Sequence, residues 1–254
     1  MGTKKNKRKT CTYCVVPKSS ITGDHVIARE FFPLGKRDNL PQVPTCETCN
    51  KTKSDLEHYL TAVLPFGYAH TDAHKYMKEK VAPRLVKNQW LARELSAGMK
   101  SKYVSQDGGQ TWEIAGTLPL DSEKIVELFK FIAKGLAYYH WGILLPDRDV
   151  TVYGGFLHSI GATAMKRMLQ SRTGKFTRPI VLGEGVFKYE GVQDPNHLSL
   201  TVWRMTLYGI VMDGDPSAKA IKVSDGYVIT APRGLKVATD VIEKFSGKVT
   251  AAAS

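Results

Sequence analysis

A chain of 254 residues with 43% hydrophobic and 24% charged side chains has the apolar material for a buried core, which excludes a disordered chain. No apolar run reaches the roughly eighteen residues that a membrane span needs, and none follows the basic N-terminus as a secretory leader would, so an intracellular, cytoplasmic protein is expected. A formal net charge of +12 attracts polyanions, and nucleic acid is the first partner it suggests.

The chain opens on a basic arm, residues 1–10, where Lys4, Lys5, Lys7, Arg8 and Lys9 either lie on phosphates or form a solvated tail. From Cys11 to about Leu40 the pattern is short and irregular, with a turn at Thr22-Gly23 and a strand from Asp24 to Ile27. A helix is expected from about Cys46, because Leu56, Tyr59, Leu60, Val63 and Leu64 recur on one helical face and Pro65 stops it. Residues 66–100 read as a polar, helical connector with Pro83 at a helix start. Asp107-Gly108-Gly109 marks a hairpin, and Asp121 or Ser122 caps a long apolar helix over 125–144. A second helix is expected over 156–170, and strands over 179–192, 198–212 and around Ser224-Asp225-Gly226. The expected class is α+β. It divides into the arm (1–10), a metal-bearing module (11–65), a helical connector (66–104) and an α+β domain with an antiparallel sheet (105–254).

The four cysteines are Cys11, Cys14, Cys46 and Cys49, two CxxC pairs with no other cysteine in the chain. In a reducing compartment such pairs are metal thiolates rather than disulfides, because each tight pair presents two ligands to one ion. Structural zinc is the best match to four thiolates. Redox-active thiols and four unrelated buried cysteines are the alternatives.

Between and after these pairs lie Asp24-His25-Val26-Ile27-Ala28-Arg29, Asp38-Asn39-Leu40 and, directly on the second CxxC, Asn50-Lys51-Thr52-Lys53. In this order the segments resemble the zinc-flanked branch of the HNH (ββα-metal) endonuclease family, over residues 11 to about 60. The resemblance implies a hairpin packed on a helix, with zinc joining the two. It implies that His25 is the general base, that Asp24 and Asn50 are ligands of a catalytic Mg²⁺ or Mn²⁺, and that Asn39 ties down the hairpin loop. Arg29, Lys51 and Lys53 fall where basic residues would hold nucleic-acid phosphates. Ala28 stands where the family often has Pro, Gly35 is single where a pair is common, and Asn50 replaces a frequent His.

A metal-dependent HNH endonuclease acting on DNA is therefore the expected function, in restriction, phage defence or mobile-element homing. A single such site cuts one strand, so a double-strand break calls for a homodimer, a second encounter or relocation of the site. A non-catalytic zinc module that binds nucleic acid and a nuclease acting on RNA are the alternatives. His58 is read as a helix-surface residue. His70 and His74, spaced i, i+4, are read as exposed, and Tyr138, Tyr139, His140 and Trp141 as core at a helix end.

Overall fold

The computed structural model describes residues 4–63, 81–104, 113–117, 121–156, 159–171, 173–207 and 225–235. Near the N-terminus, strands β1 (Thr22–His25) and β2 (Gln42–Thr45) pair antiparallel, with Thr22 opposite Thr45 and His25 opposite Gln42. Strand β1 starts two residues before the expected Asp24, so Thr22-Gly23 lies within the strand and not in a turn. It ends at His25 because Val26 and Ile27 turn inward to join Phe31 and Phe32, all essentially without exposure. The basic arm is pinned alongside: the Arg8 N–H donates to the Ser20 carbonyl at 2.9 Å and the Ser20 N–H to the Lys9 carbonyl at 3.1 Å.

Helix α1 (Glu47–Val63) follows β2 directly and buries Leu60 and Val63, two of the residues expected on its inner face. Pro65, the expected stop, lies outside the described residues, as do His70 and His74. Two short helices come next, α2 (Ala82–Lys87) and α3 (Gln89–Gly98). The Asn88 side chain caps α3 by accepting from the Leu91 N–H, and Leu91 and Leu95 pack on Ala62 and Val63 of α1. Strands β3 (Lys100–Val104) and β4 (Glu113–Thr117) form the expected antiparallel hairpin, although its turn is outside the described residues.

Helix α4 (Ser122–Trp141) is capped by Asp121, whose carboxylate accepts from the Glu123 and Lys124 N–H groups. Its start is tied to α1: the Asp121 N–H donates to the Tyr59 hydroxyl at 3.1 Å, and the Lys124 ammonium sits 4.3 Å from the centre of the Tyr59 ring. Strand β5 (Val150–Phe156) lies outside the expected elements, because Gly154-Gly155 weakens its strand pattern; by occupying Phe156 it delays helix α5 to Ser159–Ser171. Strands β6 (Ile180–Leu182), β7 (Phe187–Gln193), β8 (Thr201–Leu207) and β9 (Gly226–Pro232) complete an antiparallel sheet of order β5-β9-β8-β7-β6.

Side chains alternate across this sheet with period two, so its faces meet different partners. Val228, Trp203 and Met205 face α4, whereas Tyr227, Ile229 and Val202 face Met165 and Leu169 of α5. The α4 side also receives the N-terminal segment. Cys11, Tyr13, Val26, Phe31, Phe32 and Leu60 lie in the same buried cluster as Ile125, Leu128 and Ile132 of α4 and Phe187 of the sheet. Gly135 allows the closest approach between them, since a Cβ there would meet Val26 methyl groups at 2.8 and 2.9 Å. No helix among the described residues is long and apolar enough to cross a membrane.

Candidate metal centre and hairpin site

Cys11 and Cys14 come from the turn before β1, and Cys46 and Cys49 from the start of α1. The Cys11 N–H donates to the Val16 carbonyl and the Val15 N–H to the Cys11 carbonyl, which curls the first pair into a knuckle. In the second pair the Cys49 N–H points at Cys46 Sγ at 3.5 Å, and the Cys46 N–H reaches across to Cys11 Sγ at 3.4 Å. All four sulfur atoms lie within 4.8 Å of one another, and Cys14 Sγ and Cys46 Sγ are 3.8 Å apart. Metal–sulfur bonds of about 2.3 Å in tetrahedral array place sulfurs roughly 3.8 Å apart, so the spacing fits one ion. The four cysteines can hold a metal such as zinc, which would lock the strand-bearing loop to the helix start.

The thiols are unequal. Burial pushes the Cys11 thiol up, but N–H groups of Cys14, Cys46 and Tyr13 outweigh it and bring its pKa down to about 7. Burial raises Cys49 strongly, and the facing sulfurs add to that. Four thiolates this close repel one another unless a cation sits among them.

Beside this cluster β1 presents Asp24 and His25. The Asp24 carboxylate is fixed from two sides: the Tyr13 hydroxyl donates to Oδ2 at 2.6 Å, and the Lys53 ammonium lies 3.1 Å from Oδ2 and 3.4 Å from Oδ1. Lys53, expected to hold a phosphate, is instead fully buried on the inner face of α1. Its ammonium donates to the His25 carbonyl at 2.8 Å and pairs with Glu57 one turn on. With its donors turned to the hairpin, it is a strut inside the fold rather than a surface cation. Burial alone would lower its pKa, but Asp24 and Glu57 raise it above the ordinary lysine value. Glu57 is pushed up to about 7, first by burial and against the pull of Lys53. Tyr13, buried and facing Asp24, stays protonated and is a constant donor.

His25 is half-buried. Its Nε2 lies 3.2 Å from the Gln42 side-chain nitrogen, and Nδ1 is buried without a partner among the described residues. Burial is the main cause of a lowered imidazole pKa, with the Arg29 charge adding to it. Burial thus favours the neutral form of the ring.

Asn50 sits in the first turn of α1, its N–H on the Cys46 carbonyl at 3.0 Å, one residue past the metal cluster. Asn39 is exposed and takes a left-handed φ of 58°, so its contribution is a turn that Asn tolerates well. Arg29 and Lys51 are exposed, as is His58. Sequence reasoning did not single out Gln42, Tyr13 or Glu57. Glu57 had a signal in its i, i+4 spacing from Lys53, whereas Gln42 needed the strand register and Tyr13 the packing of the knuckle. No protein-family model, curated protein or solved structure matches the chain.

Proposed function

We propose that this chain is a metal-dependent HNH endonuclease that cuts DNA, with structural zinc on Cys11, Cys14, Cys46 and Cys49. The observation that carries the reading is His25: a half-buried imidazole, its neutral form favoured by burial, on a two-stranded hairpin beside a helix whose start holds both Asn50 and two of the four clustered cysteines. Hydrolysis of a phosphodiester needs a base for the attacking water and a positive charge for the leaving oxygen. The imidazole of His25 would take the proton, with Gln42 beside Nε2 holding the ring until water replaces its amide. Asp24 and Asn50 would hold a hard divalent ion, Mg²⁺ or Mn²⁺, which when bound neutralises the leaving oxygen. Asp24 Oδ1, with only a 3.4 Å contact to Lys53, keeps lone pairs for that purpose. Arg29 and Lys51 are the exposed cations suited to neighbouring phosphates.

One observation favours a second reading. Asp24 is already braced by Tyr13 and Lys53, as expected of a zinc module that binds nucleic acid without cutting it. Supercoiled plasmid separates the two. Wild-type protein with Mg²⁺ or Mn²⁺ is expected to nick it, and His25→Ala to lose at least about 10²-fold in rate while retaining one zinc. Activity should persist somewhat below pH 6.5, because burial holds the base neutral there. Equal cutting by both proteins overturns the assignment of His25, and no cutting of DNA or RNA by either favours the binding module.

A further inference from the structure

At the C-terminal end of α4 a groove of about 480 Å³ opens between His140-Trp141 and the segment Gly174–Arg178. The segment is held against β7. The Gln193 N–H donates to the Lys175 carbonyl at 2.7 Å, the Thr177 N–H to the Gly191 carbonyl at 2.8 Å, and the Gly191 N–H to the Thr177 hydroxyl at 2.8 Å. Gly174 is needed for this approach, since any Cβ there would run into the Gln193 carbonyl. The opposite wall is equally fixed. Trp141 stacks on Trp203 with ring centres 4.8 Å apart, and His140 Nε2 meets the Tyr189 hydroxyl at 3.0 Å.

What this frame holds up is an exposed aromatic ring between two cations. Phe176 is 42% exposed, and Lys175 and Arg178 flank it, both exposed and neither in an ion pair with a described residue. Among the described residues, no carboxylate lines the groove. The cavity beside the cysteine cluster differs, because Glu127 and Asp147 there neutralise Lys130 and Lys134. An aromatic face flanked by two cations that no described carboxylate pairs suits a ligand that is flat, apolar on its faces and anionic along its edge. We propose that this groove binds an unpaired nucleotide of a nucleic-acid strand, its base against Phe176 and Trp141 and its phosphates on Lys175 and Arg178. A net charge of +12 supplies the long-range attraction. Acidic peptides and sulfated polysaccharides satisfy the cations but leave the ring unused.

The groove shares no residue with the hairpin site, so the proposal does not depend on cleavage. The test uses full-length, zinc-loaded His25→Ala protein without Mg²⁺ and a labelled single strand of about 12 nucleotides, read by fluorescence polarisation. A duplex of the same length, heparin and a poly-glutamate peptide serve as comparisons. The single strand should bind best, and Phe176→Ala should weaken it by about fivefold or more with little effect on heparin. The Lys175→Ala/Arg178→Ala pair should flatten the plot of log affinity against log salt by about 1.4, or about 0.7 per lost phosphate contact. Phe176→Trp should retain binding and report it through quenched emission, which guards against a misfolded alanine variant. Unchanged affinity in Phe176→Ala, equal losses for heparin and oligonucleotide, or unquenched emission from Phe176→Trp would each overturn the proposal. Loss of cutting by wild-type protein with this binding intact would instead count against the nuclease reading alone.

Discussion

Lys53 concentrates more of the hairpin's stability than any surface cation, because one buried ammonium holds Asp24, Glu57 and the backbone of His25 together. Replacing it with Met leaves the Asp24 charge with Tyr13 as its remaining brace. Removing one partner of a buried pair costs about 3–5 kcal/mol, so urea unfolding of Lys53→Met at pH 8 should show a loss of that order. A surface phosphate-binding lysine would move the midpoint hardly at all. Glu57 gives a second prediction, in pH. Its folded-state pKa of about 7 lies above its ordinary value of 4.5, so the native state holds more protons between the two. The stability it contributes is complete below about pH 4.5 and is lost as pH rises through 7. Wild-type urea midpoints should therefore fall from pH 5 to pH 8 more steeply than those of Glu57→Gln. Parallel curves would show that Glu57 is ionised throughout. At this scale the sequence was legible where chemistry is local: Asp24, His25 and the two CxxC pairs announce themselves by type and spacing. The roles of Gln42 and Tyr13 were not, because they depend on which strand and which knuckle pack against His25 and Asp24.

Among the elements, α4 joins the two halves of the fold: it meets α1 at its start, β2 and the β1 exit along its length, and the sheet beneath. Its regular apolar repeat and Asp121 cap made it easy to read, as did the long periodic face of α1. Strand β5 was missed because two glycines interrupt it, and β1 was read two residues late because the inward turn of Val26 and Ile27 looks like strand alternation. Gly135 is the point where α4 admits the hairpin, and this yields a prediction opposite to helix propensity. A better helix former there should stabilise an isolated helix by about 1 kcal/mol. In the folded chain, Gly135→Leu should destabilise by about 1–3 kcal/mol, because its side chain must displace Val26. Calorimetry of Gly135→Leu alone and with Val26→Ala checks the cause, since the second change should restore part of the loss.

Over the whole molecule, the cluster that buries Cys11, Tyr13 and Val26 is the one that buries α4 and the inner face of the sheet. Metal loss should therefore reach beyond the knuckle. Zinc chelation is expected to lower the melting temperature of the full chain in one cooperative transition, with re-addition restoring it. Two separate transitions, only the first sensitive to chelator, would show that the hairpin region melts alone. The Tyr59–Asp121 hydrogen bond has a further consequence, in the topology of the chain. Residues 62 positions apart meet here, the Asp121 N–H 3.1 Å from the Tyr59 hydroxyl, so the chain re-enters at α4 beside the point on α1 from which it departs. Such an excursion has the geometry of an insertion, which can lengthen, shorten or be exchanged without re-routing the path that joins hairpin to sheet. Among the described residues of this stretch, Leu91 and Leu95 of α3 rest on Ala62 and Val63 at the end of α1, so a version that keeps α1 and lacks α3 would need polar residues at those two α1 positions to remain soluble.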